Sequence, residues 1–221
     1  KLRPSGVEWL GDVPEHWELT AVGFQFRNLD HKRVPVAGEI RAVVEKIYPY
    51  YGASGIIDYI DDYLFDEPLV LVAEDGANLL SRSTPLAFLA SGKYWVNNHA
   101  HILRPLSGDI RYWVAVLQTF DYKPLISGAA QPKLTSDRLN SVRIPKPPTA
   151  EQRLIADFLD YETDKIDQLI AKVETAIACL QEYRTALITA AVTGKIDVRQ
   201  EAGRCSRTNT DHGLTRTSTD E

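Results

Sequence analysis

His99 and His101 stand two residues apart in Asn97-Asn-His-Ala-His101, a spacing that on an extended strand turns both imidazoles to one face, where they could grip a metal ion. The run holds no Asp, Glu or Cys to complete a site, and two ligands are too few for zinc. Glu74-Asp75, with Asp58, Asp61 and Asp62 upstream, widens the choice to a metal-dependent nuclease on Asp75, His99 and His101. No Glu-x-Lys follows Asp75, however, and the acids around 58–67 read as a solvated face. Gly52-Ala-Ser-Gly55 fits neither the phosphate loop nor the dinucleotide fingerprint and reads as a turn leading into a strand. A Gly-x-Ser-x-Gly elbow is absent, as is the Asn/Asp-Pro-Pro-aromatic tetrapeptide of amino-methyltransferases. Chemistry-bearing residues are therefore present without a reaction to run; they read as recognition and assembly.

Composition agrees. The 221 residues are 44% hydrophobic and 25% charged, enough for one well-packed domain with an extension. Lys+Arg number 25 against 30 Asp+Glu, and residues 20–145 balance at thirteen of each, so no segment is basic overall. A protein that holds duplex DNA alone is expected to carry a basic face, so any nucleic-acid role calls for a clustered face or a basic partner. No apolar run approaches a membrane span and no signal segment opens the chain. With two cysteines, Cys179 and Cys205, there is no disulfide framework, and a reducing cytoplasm is the default location. Lys1 is not a translation start, so the expectation is a trimmed chain or a piece of a longer one.

The elements that must position these residues fall into two regimes. In residues 1–17, Trp9 and Trp17 sit in a stretch too broken by Gly and Pro for a long element, and are expected to pin it to a neighbouring surface. From 18 to 145 short strands alternate with turn residues. Pro68–Ala73 is a continuous apolar run closed by Asp75-Gly76, which predicts a buried strand. Leu86–Ala90 and Lys93–Val96 flank Ser91-Gly92, a hairpin signal. Asn98–Leu103 alternates as a strand, and Val142–Ile144 closes the region as another. Asp109 is placed to cap a helix whose Tyr112, Trp113, Val116, Leu117 and Phe120 share a side.

After Pro145-Lys-Pro-Pro148 the period changes. Thr149 with Gln152 three residues on predicts a capping box, Pro and Gly are absent up to Thr193, and Gly194 stands where a C′ glycine ends a helix. Leu159, Ile166, Val173, Leu180 and Leu187 recur every seven residues, with Leu169, Ala176, Tyr183 and Ala190 three further on. A helix over 149–193 would be on the order of 65 Å long. A globule of this size cannot cover such a stripe, so the helix is expected to pair with another. Residues 200–221 are polar, and disorder is expected.

In their order along the chain, several motifs resemble those of the specificity (S) subunits of type I restriction-modification enzymes. They are Ser5-Gly-Val-Glu-Trp-Leu-Gly-Asp-Val-Pro-Glu-His-Trp17, Tyr51-Gly-Ala-Ser-Gly55, Glu74-Asp-Gly-Ala-Asn78 and Asn97-Asn-His-Ala-His101. Gln131-Pro-Lys-Leu134, Ile144-Pro-Lys-Pro-Pro148, Glu151-Gln-Arg-Leu-Ile-Ala156 and Ala186-Leu-Ile-Thr-Ala-Ala-Val-Thr-Gly-Lys-Ile-Asp197 follow. The resemblance implies an α+β target-recognition domain followed by a long helix that pairs as an antiparallel coiled coil. It implies no catalytic site, metal or cofactor in this chain, and a role in reading one half of a split target in double-stranded DNA. The implied partners are methyltransferase subunits, restriction/translocase subunits and a second S module or a second copy through the helix; those subunits would use S-adenosylmethionine, ATP and Mg. Family members look like two tandem modules, whereas this chain has one.

The residues expected to reach DNA are Tyr51, Ser54, Asn78, Arg82, Lys93, Asn97, His99, Gln131 and Lys133. Turn-making or backbone satisfaction is an equally open role for Asn97, His99 and Gln131. Leu159, Ile166, Leu169, Val173, Leu180 and Leu187 are expected to form the helix-pairing seam. Two other readings stay open: a coiled-coil adaptor or inhibitory protein that never touches bases, and the nuclease on Asp75, His99 and His101.

Overall fold

The structure, a computed structural model, describes residues 1–128 and 132–197. Gln131, Cys205 and the tail over 200–221 lie outside the described residues. The chain divides into two compact units, Lys1–Asp160 and the part from Tyr161 onward.

The first unit is α+β. Its strands are β1 (Leu2–Pro4), β2 (Asp12–Pro14), β3 (Glu18–Ala21), β4 (Phe26–Asn28), β5 (Tyr48–Gly52), β6 (Gly55–Ile60) and β7 (Phe65–Asp66). They continue with β8 (Leu69–Ala73), β9 (Ala87–Ala90), β10 (Lys93–Val96), β11 (Ala100–Pro105) and β12 (Arg143–Lys146). The helices are α1 (Val22–Gln25), α2 (Gly38–Val43), α3 (Asn78–Ser81), α4 (Ile110–Thr119), α5 (Ser136–Ser141) and the long α6 (Thr149–Val192).

An antiparallel sheet in the order β4-β11-β8-β9 forms the centre. It is covered on both faces. Val70 and Val72 pack with Leu103, Trp113 of α4 and Leu139 of α5, whereas Leu69 and Leu71 pack with Ile102, Phe65, Tyr94 and Val96. Period-two alternation between two dry faces is why β8 reads as an unbroken apolar run. A second sheet, β6-β5-β10-β7, lies on the latter face and joins β5 to β10 in parallel.

Asp109 caps α4 as expected, its carboxylate accepting from the Arg111 N–H at 2.9 Å. The tryptophans pin the lead-in: Trp17 Nε1 donates to Glu151 at 2.8 Å, and Trp9 meets Phe120 edge-on at 5.2 Å. At the far end of α6, Gly194 takes φ +73° and the N–H groups of Lys195 and Ile196 return to the Ala190 carbonyl, closing the helix.

Three local expectations fail, each through a distant partner. β9 and β10 do not form a hairpin. Gly92, at φ +73°, turns the chain out of the central sheet, so β9 pairs with β8 while β10 pairs with β5 and β7. Gln152 does not close a capping box. It is buried, accepts from the Asp109 N–H at 3.0 Å and donates to the Pro147 carbonyl at 2.8 Å, tying the start of α6 to the cap of α4. The strand read over Asn98–Leu103 begins at Ala100, which leaves His99 in the preceding turn.

Candidate nucleic-acid interface

Three segments converge where β5, β8 and β10 end. The Asn97 N–H donates to the Tyr51 carbonyl at 3.0 Å, and the Glu74 N–H to the His99 carbonyl at 3.0 Å. The stretch Pro132–Leu134 closes against the end of β8: the Leu134 N–H reaches Glu74 O at 2.7 Å and the Gly76 N–H reaches Pro132 O at 3.1 Å. The structure thereby brings Tyr51, Ser54, Asn97, His99 and Lys133 to one end of the first unit.

What each side chain does there differs. Ser54 is exposed in the turn between β5 and β6. Tyr51 is half-buried, stacked on Phe88 at 5.8 Å, and burial, followed by the nearby Tyr59, pushes its phenol up. Asn97 is buried and accepts the His99 N–H at 2.8 Å, so its carbonyl oxygen shapes the turn. His99 is 46% exposed with Nδ1 2.9 Å from Asp75. Lys133, on the rim, has Nζ 3.0 Å from Glu74.

The remaining described candidates lie apart from this set. Asn78 accepts from the Thr84 N–H at 2.9 Å and donates back to Thr84 O at 3.1 Å, which makes it a turn residue. Arg82 adopts φ 51° and donates to the carbonyls of Gln118 and Phe120 at the C-terminal end of α4. Lys93 starts β10 beside Asp66, at the opposite end from Val96 and Tyr51, with its ammonium 4.6 Å above the Tyr63 ring.

Beneath the convergence lies a charged network that the sequence did not disclose. His101 is 1% exposed; Nδ1 stands 2.6 Å from Asp30 and Nε2 2.8 Å from the Leu134 carbonyl. Asp30 also accepts from the Ile102 N–H at 2.8 Å and the Asn28 amide at 3.0 Å. Arg33 bonds Glu74 and the Ala100 carbonyl, and Lys133 closes on Glu74 from outside. Burial alone would raise the Asp30 carboxyl, but His101, Asn28 and the Ile102 N–H hold it below its ordinary value. Glu74 behaves alike: burial raises it, and bonds from Arg33 and Lys133 more than compensate. No sequence signal finds this network, because its members are scattered from residue 28 to residue 134.

Among the described residues, the group whose atoms could meet on a metal is Asp30, Glu74 and His101, within 4.8 Å of one another. Arg33 and Lys133 already engage its carboxylates, so an added cation would meet like charge. The alternative set of Asp75, His99 and His101 does not assemble. His99 turns to Asp75 at the surface while His101 turns inward to Asp30.

Residues 23–177 match the family model described as the type I restriction modification DNA specificity domain. The chain belongs to that family. S.HindORF215P of Haemophilus influenzae, provisionally assigned as a type I restriction enzyme specificity subunit, is 34% identical over 61% of this chain and 34% of its own length. The EcoDI specificity subunit of Escherichia coli is 22% identical over 84% of this chain and 40% of its own. The S subunit of the type I system from M. genitalium shares the fold, with a TM-score of 0.59, 18% identity, and coverage of 80% of this chain and 47% of that one. This specificity-family chain thus spans between a third and a half of the length of these relatives. The α+β architecture with its long C-terminal helix is the architecture of the solved S subunits. Among the described residues, no helix is long and apolar enough to cross a membrane.

Proposed function

We propose that this chain reads one half of a two-part DNA sequence and itself catalyses nothing. The observation that carries this reading is the convergence of three loop segments on one end of a specificity-family domain, stiffened from below by a network that joins residues 28–33, 74, 101 and 132–136. Base reading needs polar groups on a rigid support, because hydrogen bonds to base edges discriminate only if their donors and acceptors are held in register. Among the described residues, Ser54, Asn98, His99 and Lys133 are exposed polar side chains of that end. Asn98, not among the sequence-derived candidates, joins them because the strand starts two residues after it.

The balanced charge of residues 20–145 fits a protein that leaves much of the phosphate contact to partners. Methyltransferase subunits, and restriction/translocase subunits for cleavage, are the partners this reading requires. The helix supports a further role as a spacer: Leu159, Ile166, Leu169, Val173, Leu180 and Leu187 are all exposed along α6, as expected of one half of an antiparallel pair. The length of such a pair would set the separation of the two half-sites.

The test is an exchange of residues 18–145 for those of a relative, followed by mapping of methylated sites after assembly with the methyltransferase subunit. A recognition module changes one half of the target. An unchanged target would replace this reading with an adaptor that uses the helix alone. Incubation of the purified chain with plasmid and magnesium or manganese is expected to give no cleavage; cutting abolished by His99→Ala would establish a nuclease instead.

A further inference from the structure

Asp75 is an acid at the end of the first unit proposed to face DNA, where phosphate charge makes a bare carboxylate unfavourable. One contact gives it a use. Nδ1 of His99 lies 3.0 and 2.9 Å from the two Asp75 carboxylate oxygens, and the acid's side chain is 14% exposed against 46% for the histidine. Both residues are held through the backbone. The His99 N–H donates to Asn97 Oδ1 at 2.8 Å, and the His99 carbonyl accepts from the Glu74 N–H at 3.0 Å. Asp75 is bridged antiparallel to Lys133. Among the described residues, the hydrogen bonds of the His99 ring are made by Nδ1, and Nε2 is left to an outside partner.

We propose that Asp75 is a positioning residue that fixes the His99 tautomer, so that Nε2 meets an adenine N6 or cytosine N4 amino group in the major groove. The inference rests on the DNA-reading role proposed above and adds the base chemistry read at one position. A carboxylate has no proton to give, so the proton of the Asp75 bond sits on Nδ1, and the neutral ring presents a lone pair at Nε2. Phosphate oxygens only accept, so that lone pair finds no partner on the backbone of the duplex. In the major groove the amino groups of adenine and cytosine donate, whereas guanine N7 and O6 and thymine O4 accept. The minor-groove donor, guanine N2, lies in a cleft about 6 Å wide, too narrow for an end built from three loops.

The base preference follows from the tautomer. A transition, adenine to guanine or cytosine to thymine, puts a carbonyl where the amino group stood and sets lone pair against lone pair. Without Asp75 the ring takes either tautomer, and the preference fades.

Two readouts test this. The first needs no DNA: proton–nitrogen correlation spectra of the histidine rings of the full chain in mildly alkaline buffer, with His99 assigned by its loss in His99→Ala. The proton is expected on Nδ1 in the parent and shifted toward Nε2 in Asp75→Ala. A parent ring protonated at Nε2, alone or together with Nδ1, would overturn the inference. The second is selection by the complex with the methyltransferase subunit, from duplexes in which each base pair of the mapped target is varied in turn. His99→Ala and Asp75→Ala are each expected to reduce discrimination against the transition at the same base pair by about five- to tenfold. The double variant is expected to lose no more than either, because the two residues act as one unit. Thermal melts separate these effects from unfolding. A loss spread evenly over all positions, or unchanged selection, would overturn the inference and leave DNA reading in place. A parent complex that selects no sequence would overturn both.

Discussion

His101 Nδ1 stands 2.6 Å from Asp30 at the centre of the fold, and its other ring nitrogen faces the Leu134 carbonyl at 2.8 Å. A carbonyl only accepts, so Nε2 is the donor in the bond to Leu134, and both ring nitrogens are engaged. The buried ring is held between a carboxylate and a backbone oxygen. It joins the residues that follow strand β4, the strand β11 and the stretch before α5. This is the fastening under the loops proposed to face DNA.

Acid should loosen that fastening. Asp30 and Glu74 both titrate below their ordinary values in the folded state. A depressed folded-state carboxyl contributes stability that is fully present above the unfolded-state value, near pH 4, and is lost as pH falls through the folded value. Chemical denaturation at pH 7 and at stepped values below pH 4 should show a decline that is shallower in Asp30→Asn with Glu74→Gln. Equal pH slopes in the variant and the parent would contradict the assignment.

The two histidines should respond in opposite ways. His101→Ala removes one partner from the Asp30 carboxylate and one from the Leu134 carbonyl at a buried position and should cost about 2–4 kcal/mol of stability. His99→Ala removes an exposed pair with Asp75 and should cost about 1 kcal/mol or less. If His99 reads DNA, that variant keeps its melting temperature and loses affinity or selectivity for the target. Comparison of thermal melts with target binding by the assembled complex separates the two roles.

Gly108 should tolerate no side chain. Its φ is +90°, and a Cβ would stand 2.2 Å from Gln152 Oε1 and 2.7 Å from Trp113 Nε1. Gly108→Ala must displace the amide that links α6 to the α4 cap and also strains the backbone, so a loss of about 2–4 kcal/mol in denaturant unfolding is expected. Gln152→Ala should reproduce much of that loss without the strain.

Val173→Asp places a charge at the midpoint of the exposed seam. Val173 is 57% exposed within one chain, so the fold should survive and the monomer melt normally. Self-association, or pairing with a second module, should fall by at least about tenfold. Light scattering on the variant and the parent at matched concentration measures it, and an unchanged mass distribution in a parent that dimerises would refute the seam.

Arg82 offers a contrast with the loop residues. Its guanidinium is bound to the Gln118 and Phe120 carbonyls, and its backbone sits at φ 51°. Arg82→Ala should therefore lower stability by about 1–2 kcal/mol and leave the target sequence unchanged. A shifted target with an unchanged melt would return Arg82 to the base-reading set.

What the sequence by itself determined is local or periodic. The run that became β8, the Asp109 cap, the 44-residue helix and its Gly194 stop follow from neighbouring residues, because helix and strand periods and caps are settled within a few positions. The order of its motifs also carried the family. The tertiary structure alone decided where hydrogen-bonding groups found their partners. Ser91-Gly92 reads as a hairpin until β10 is seen beside β5, and Thr149-Gln152 as a capping box until Gln152 is seen reaching Asp109, 43 residues away. His101 is separated from Asp30 by 71 residues. A buried polar group takes whichever acceptor or donor the packed chain brings near, since leaving it unpaired costs more than any local preference supplies. That choice is made in space, and so the paired histidines of one short motif came to hold different carboxylates, one at the surface and one in the core.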